Sequence, residues 1–149
     1  MYGVSKISSA ENIMLVSYSD APALFMSETL NSLANLGVVV DMICQTAPSG
    51  SSIRFSFTAS NDHFDVALKA IGGEGKQASP MISGGYTKIN LFGEEMVDSV
   101  GVAARALAAL ARENVDIALV TTSDLDISLL VRREDSDVAV QSLRQAFEI

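Results

Sequence analysis

Apolar and polar positions follow two different periods along this chain, and the order of those periods repeats. Ile13 to Val16 is a short apolar run that reads as a strand. Met26, Leu30 and Leu33 then fall at i, i+4 and i+7, one face of a helix. Gly37 ends that helix, because glycine enters the left-handed region without a Cβ penalty. A second strand is predicted over 38–44, then a turn-forming cluster, Thr46-Ala47-Pro48-Ser49-Gly50-Ser51. Ile53, Phe55 and Phe57 alternate with Arg54, Ser56 and Thr58, as in a half-buried strand. Phe64, Ala67, Leu68 and Ile71 line a second helix, with Asn61 or Asp62 as its N-cap.

The second half repeats this order. Ile89 to Phe92 reads as a strand, and Ala103, Ala106, Leu107 and Leu110 form a helical stripe. Asn114 takes the place of Gly37 as a left-handed stop. A strand over 115–121 leads through Ser123-Asp124 into Ile127, Leu129 and Val131. The last helix carries Ala139, Val140, Leu143 and Phe147, with Glu134, Asp135 and Asp137 at its N-terminus, where the dipole favours acids.

Short sequence matches run parallel to the shared periods. Gly37 followed by Val38-Val39-Val40-Asp41-Met42-Ile43 corresponds to Asn114 followed by Val115-Asp116-Ile117-Ala118-Leu119-Val120. Asp65-Val66-Ala67-Leu68-Lys69-Ala70-Ile71 corresponds to Asp137-Val138-Ala139-Val140-Gln141-Ser142-Leu143. A duplicated unit is the direct reading. Each unit reads β-α-β-β-α and lacks one strand of the ferredoxin-like βαββαβ arrangement. Tyr2 to Ile7 and a segment near Gln77 to Ser83 are the spare strand candidates, and Gly72-Gly73-Glu74-Gly75 is the natural joint. The expected class is therefore α+β, with both helices of a unit on one face of its sheet and the other face open to a partner.

Composition narrows the possible functions. The 149 residues are 48% hydrophobic and 19% charged, which supports a substantial core and argues against disorder. No apolar run reaches the ~20 residues of a membrane helix, and the start lacks the apolar stretch of a signal peptide. One cysteine, Cys44, cannot form an internal disulfide, which fits a cytoplasmic location. A net charge of −8 opposes nucleic-acid binding, which draws on clustered Lys and Arg.

Candidate chemistry is sparse. His63 is the only histidine and has no nucleophile in local register, so a surface role is expected. Cys44 lies in an apolar strand, where a buried, inert thiol is expected. One His and one Cys assemble no common zinc site. The glycines at 72, 73 and 75 with Lys76 fail as a phosphate loop, because Ala70 and Gln77 occupy required positions. Glu94-Glu95 and Glu134-Asp135 read as solvated carboxylates, and Met26, Met42 and Met96 as core filling. No cofactor, metal or independent enzymatic activity is expected.

From Lys88 onward the sequence resembles the last ACT domain of aspartate kinases. The resemblance rests on Ile89-Asn90-Leu91-Phe92-Gly93, Met96, Gly101-Val102-Ala103-Ala104, Leu107 and Ala109-Leu110. It continues through Thr121-Thr122-Ser123-Asp124, Ile127-Ser128, Ala139-Val140 and Leu143 to Ala146-Phe147-Glu148. The first half is similar at Asp20 and Pro22, Val40-Asp41-Met42-Ile43 with Gln45, and Ser56-Phe57-Thr58, and Gly3-Val4-Ser5 resembles the strand leading into this region.

The resemblance implies two ACT units, residues 9–75 and residues 1–8 plus 76–149, the first inserted after the N-terminal strand of the second. It implies a non-catalytic regulatory module that pairs into a homodimer, serves a catalytic kinase subunit, and senses lysine, threonine or a related amino acid. The implied effector site is the loop Ser19-Asp20-Ala21-Pro22-Ala23-Leu24, with Gln45 at the end of the next strand and Asn114, Val115 and Asp116 as a facing wall. A helix N-terminus there would hold a carboxylate, and Asp20 an ammonium group. The loop Met96 to Val102, with Ser99, Val100 and Gly101, would form a second, weaker site. Ala23 replaces the family's loop glycine, Val100 a proline and Ala118 an acid, while Arg54 also stands where an acid is usual. These departures support the alternative, a structural dimerisation module with degenerate pockets.

Overall fold

A computed structural model describes residues 2–71 and 78–149. The chain divides into two compact units, Asn12–Gly85 and a second made of Met1–Glu11 with Tyr86–Ile149. The expected joint at residues 72–75, with Lys76 and Gln77, lies outside the described residues.

The unit Asn12–Gly85 is built from β1 (Lys6–Pro22), α1 (Ala23–Asn35), β2 (Ile43–Gln45), β3 (Ser52–Ser60), α2 (Phe64–Ile71) and the first part of β4 (Met81–Phe92). Its strand order is β2-β3-β1-β4, and β3 runs antiparallel to both β1 and β2. Met14, Val16 and Tyr18 of β1 and Ile53, Phe55 and Phe57 of β3 point to one face. Phe25 and Leu33 of α1 and Ala67 and Ile71 of α2 join them in a single apolar core. Tyr18 stacks on Phe55 with centroids 4.7 Å apart and meets Phe25 edge-on at 5.4 Å, which fixes the start of α1 over the sheet.

The other unit uses the first part of β1, the rest of β4, α3 (Val102–Arg112), β5 (Ile117–Thr122), β6 (Asp126–Arg132) and α4 (Ser136–Phe147). Its order is β1-β4-β6-β5, with β6 antiparallel to β4 and β5. Ile89, Leu91, Leu129 and Val131 meet Ala106 and Leu110 of α3 and Leu143 and Phe147 of α4 in a separate core. Ser142 Oγ donates to the Ala109 carbonyl at 3.0 Å and ties the two helices together. Both units are ferredoxin-like βαββαβ folds, the first inserted after the N-terminal strand of the second.

Several elements differ from the sequence expectation. β1 is one strand where Tyr2–Ile7 and Ile13–Val16 were expected as two, because residues 8–12 belong to the strand but are exposed and leave no apolar alternation. Tyr2 and Gly3 lie outside it with positive φ, and within it Asn12 has φ 63. β4 likewise extends Ile89–Phe92 back to Met81. The strand expected over 38–44 shrinks to Ile43–Gln45, since Met42 N–H donates to Thr58 Oγ1 at 3.0 Å and the ladder is irregular there. β2 is an edge strand, so Cys44 is exposed rather than buried.

The cap before α2 is Ser60, whose Oγ accepts the Asp62 N–H at 3.2 Å, not Asn61 or Asp62. On α3 the buried stripe is Val102, Ala106, Ala109 and Leu110, while Ala103 and Leu107 face out. An alanine-rich helix leaves its phase open in the sequence, and the true stripe still steps by i, i+4, i+7 and i+8.

Candidate ligand-binding site

In the unit Asn12–Gly85, the end of β1 bends directly into α1. Register slips between Tyr18 and Ala21, leaving Ser19 and Asp20 exposed beside the bulge. Ala21 is buried opposite Ile53, and Pro22 pairs with Ser52 while serving as the N-cap of α1. Proline at this position fixes its own φ but brings no side-chain acceptor, and no side-chain bond caps the helix. Asp20 is therefore not the helix cap. Ala23 and Leu24 open the helix, and their N–H groups lack intrahelical acceptors. Ala23 keeps a negative φ, so alanine fits where the resembling family has glycine. Leu24 is 70% exposed.

Gln45 ends β2 opposite Phe55, which also pairs with Tyr18. Paired residues share a face, so Gln45 lies two strands, about 10 Å, from Tyr18 on the side that α1 covers. The structure thus brings Gln45 and the β1–α1 bend to one end of the same sheet. Tyr18 is buried there, and its hydroxyl finds no partner of good hydrogen-bond geometry. Burial pushes its pKa up, and the nearby Thr29 hydroxyl opposes only part of that shift.

The corresponding bend in the other unit runs from β4 through a 3-10 turn, Glu94–Asp98, to α3. Met96 is buried and Val102 opens α3 from inside the core. Ser99 is half-buried and donates through Oγ to the Glu95 carbonyl at 2.7 Å. Val100 is fully exposed, a large apolar side chain at the tip of the loop. Gly101, with φ 80, is the N-cap. The first α3 hydrogen bond is Arg105 N–H to the Gly101 carbonyl at 3.0 Å, so the N–H groups of Val102, Ala103 and Ala104 remain available.

Clefts open on this bend. One, of ≈ 370 Å³, brings Met96, Ser99 and Gly101 against Thr122, Ser123 and Asp124 at the end of β5. Ser123 Oγ is already engaged with the Leu125 and Asp126 N–H groups, which leaves Thr122 and Asp124 as the open polar contacts. The second, of ≈ 700 Å³, is lined by Tyr2, Ser99, Val100, Gly101, Arg105 and Arg112. The resemblance did not assign Tyr2, Arg105 or Arg112 to a site. Their signal was present only in the spacing of the two arginines, two turns apart on the polar side of α3.

Asn114, Val115 and Asp116 are not part of this bend. They lie at the far end of α3, about 16 Å along its axis. Asn114 is left-handed, Val115 is buried and Asp116 is exposed. Among the described residues no group of three or more His, Cys, Asp or Glu side chains converges as a metal site. No helix among them is long and apolar enough to cross a membrane.

Residues 89–147 match the family model of the ACT domain. Over that stretch the chain resembles an ACT domain. It is similar to an aspartate kinase of Stutzerimonas stutzeri, 30% identical over 123 residues, a match covering 80% of this chain and 30% of that protein. The chain thus spans about 30% of the length of that curated relative. A solved structure of aspartokinase alpha and beta subunits superposes with TM-score 0.86 at 26% identity, covering 98% of this chain and 99% of the matched one. The ligand-free regulatory subunit of aspartate kinase from Thermus thermophilus shares the fold, with TM-score 0.87, 23% identity and coverage of 97% and 99%. In fold the chain matches that regulatory subunit over nearly its whole length.

Proposed function

We propose that this chain is an amino-acid sensor that regulates a catalytic kinase partner. The observation that supports it best is the recurrence, in both ACT units, of a strand that bends into a helix whose first N–H groups are unclaimed. Such a helix start attracts a carboxylate through its dipole and its free donors. In the first unit the carboxylate would sit at Ala23 and Leu24, with Asp20 receiving the ammonium group and Gln45 donating or accepting at the side chain. Asn114 to Asp116 would supply the facing wall on pairing. The bend Met96–Val102 would form the second, weaker site, because Ala118 brings no carboxylate.

Lysine, threonine or a related small amino acid is the proposed effector, and a homodimer the proposed assembly. Sheets covered by helices on one face leave the other available for pairing across copies. A second reading, a dimerisation module with degenerate pockets, draws on Ala23, Val100 and Ala118, each of which departs from the family pattern.

Thermal melting against a panel of amino acids separates the two. A sensor gains melting temperature with one or two of them at millimolar concentration, in proportion to occupancy. A degenerate module gains with none.

A further inference from the structure

We infer that Tyr2 and Arg105 form a clasp that couples the segment Tyr2–Ser5 to the loop Ser99–Val102, so that neither loosens without the other. The Arg105 guanidinium lies 3.7 Å from the Tyr2 ring centroid, a close cation–π stack. The same guanidinium donates through Nη1 to the Ala146 carbonyl at 3.2 Å, so α4 holds it in place over the ring. Arg105 also makes the first hydrogen bond of α3, its N–H to Gly101 at 3.0 Å. One residue therefore joins the segment, the start of α3 and the end of α4.

The backbone of the segment explains why a clasp is needed. Tyr2 has φ 54, a left-handed conformation that a bulky side chain adopts only when its surroundings hold it there. Gly3, at φ 92, presses so closely on the loop that a Cβ would meet Ser99 Oγ at 2.7 Å and Val102 Cγ2 at 3.2 Å. On its other side the Gly3 carbonyl lies against Gly93, leaving no room for a Cβ there. Ser5 then joins the sheet by donating its N–H to the Phe92 carbonyl at 2.8 Å. The segment is thus wedged between Gly93 and Ser99, and motion of the loop is transmitted to it directly. The coupling stands on these contacts and does not depend on which effector binds.

Two backbone amides report the two sides. Ser5 N–H, bonded to Phe92, reports the segment, and Ser99 N–H, bonded to the Met96 carbonyl at 3.1 Å, reports the loop. Val115 N–H, bonded to Leu110 at the far end of α3, is the control. Hydrogen exchange resolved by NMR on the ligand-free chain should show Tyr2→Ala and Arg105→Ala each speeding exchange at both Ser5 and Ser99 by about tenfold or more, with Val115 unchanged. Tyr2→Phe and Arg105→Lys keep the ring face and the cation, and should restore most of the protection. Unchanged Ser99 exchange in Tyr2→Ala would overturn the coupling, as would equal acceleration at Val115 or no rescue by the conservative pair.

Discussion

The backbone N–H of Val115 donates to the Leu110 carbonyl at 3.0 Å, closing α3 across a left-handed Asn114 with φ 55. Val38 and Leu33 close α1 in the same way, also at 3.0 Å, across Gly37 with φ 76. In each closure the second amide runs from the left-handed residue to an alanine carbonyl, Ala111 or Ala34. Both apolar partners are buried in both cases. This is the Schellman arrangement, written once with asparagine and once with glycine.

The two closures predict opposite effects of glycine and alanine at the left-handed position. Asn114→Gly should be neutral or slightly stabilising, because glycine enters the left-handed region freely. Asn114→Ala and Gly37→Ala should each cost about 1 kcal/mol. A Cβ on Gly37 would meet nothing within 4 Å, so its cost there is conformational alone. Urea denaturation of the variants measures the difference.

Packing predicts a wide contrast between two leucines. Leu143 is fully buried against α3 and the sheet, whereas Leu24 is 70% exposed. Leu143→Ala should cost about 2–5 kcal/mol, and Leu24→Ala within about 0.5 kcal/mol of zero. Chemical denaturation again reads both.

Tyr18 predicts an alkaline limit to stability. Burial raises its pKa above the usual 10.0, so the fold favours the neutral phenol. That contribution is complete below the unfolded pKa and is lost as pH rises through the higher folded value. Between ~pH 8 and ~pH 11 the urea midpoint should fall further in the unmodified chain than in Tyr18→Phe. Equal slopes would contradict the assignment.

The repeated pattern of helices and strands was legible because buried residues carry it. Phe55, Phe57, Leu129, Leu143 and Phe147 mark their elements by apolar period, and all are buried. The pattern was silent where a strand is exposed, as over residues 8–12, and where alanine fills a helix, as in α3. Cys44 misled because an apolar run at a sheet edge reads like one at its centre. At the candidate site, the bends before α1 and α3 were visible from Pro22 and Gly101. Tyr2 and Arg105 were not, since a contact between residues so far apart in sequence leaves no periodic trace.

Titration calorimetry with lysine, threonine and related amino acids, on the unmodified chain and on Asp20→Ala, tests the sensor most directly. Asp20 does not cap α1, so its loss should leave stability within about 0.5 kcal/mol. Saturable heat with one of these amino acids, weakened tenfold or more (~1.4 kcal/mol) in Asp20→Ala at unchanged stability, is the predicted result. No heat with any of them at millimolar concentration would contradict the proposal that this chain binds an amino acid.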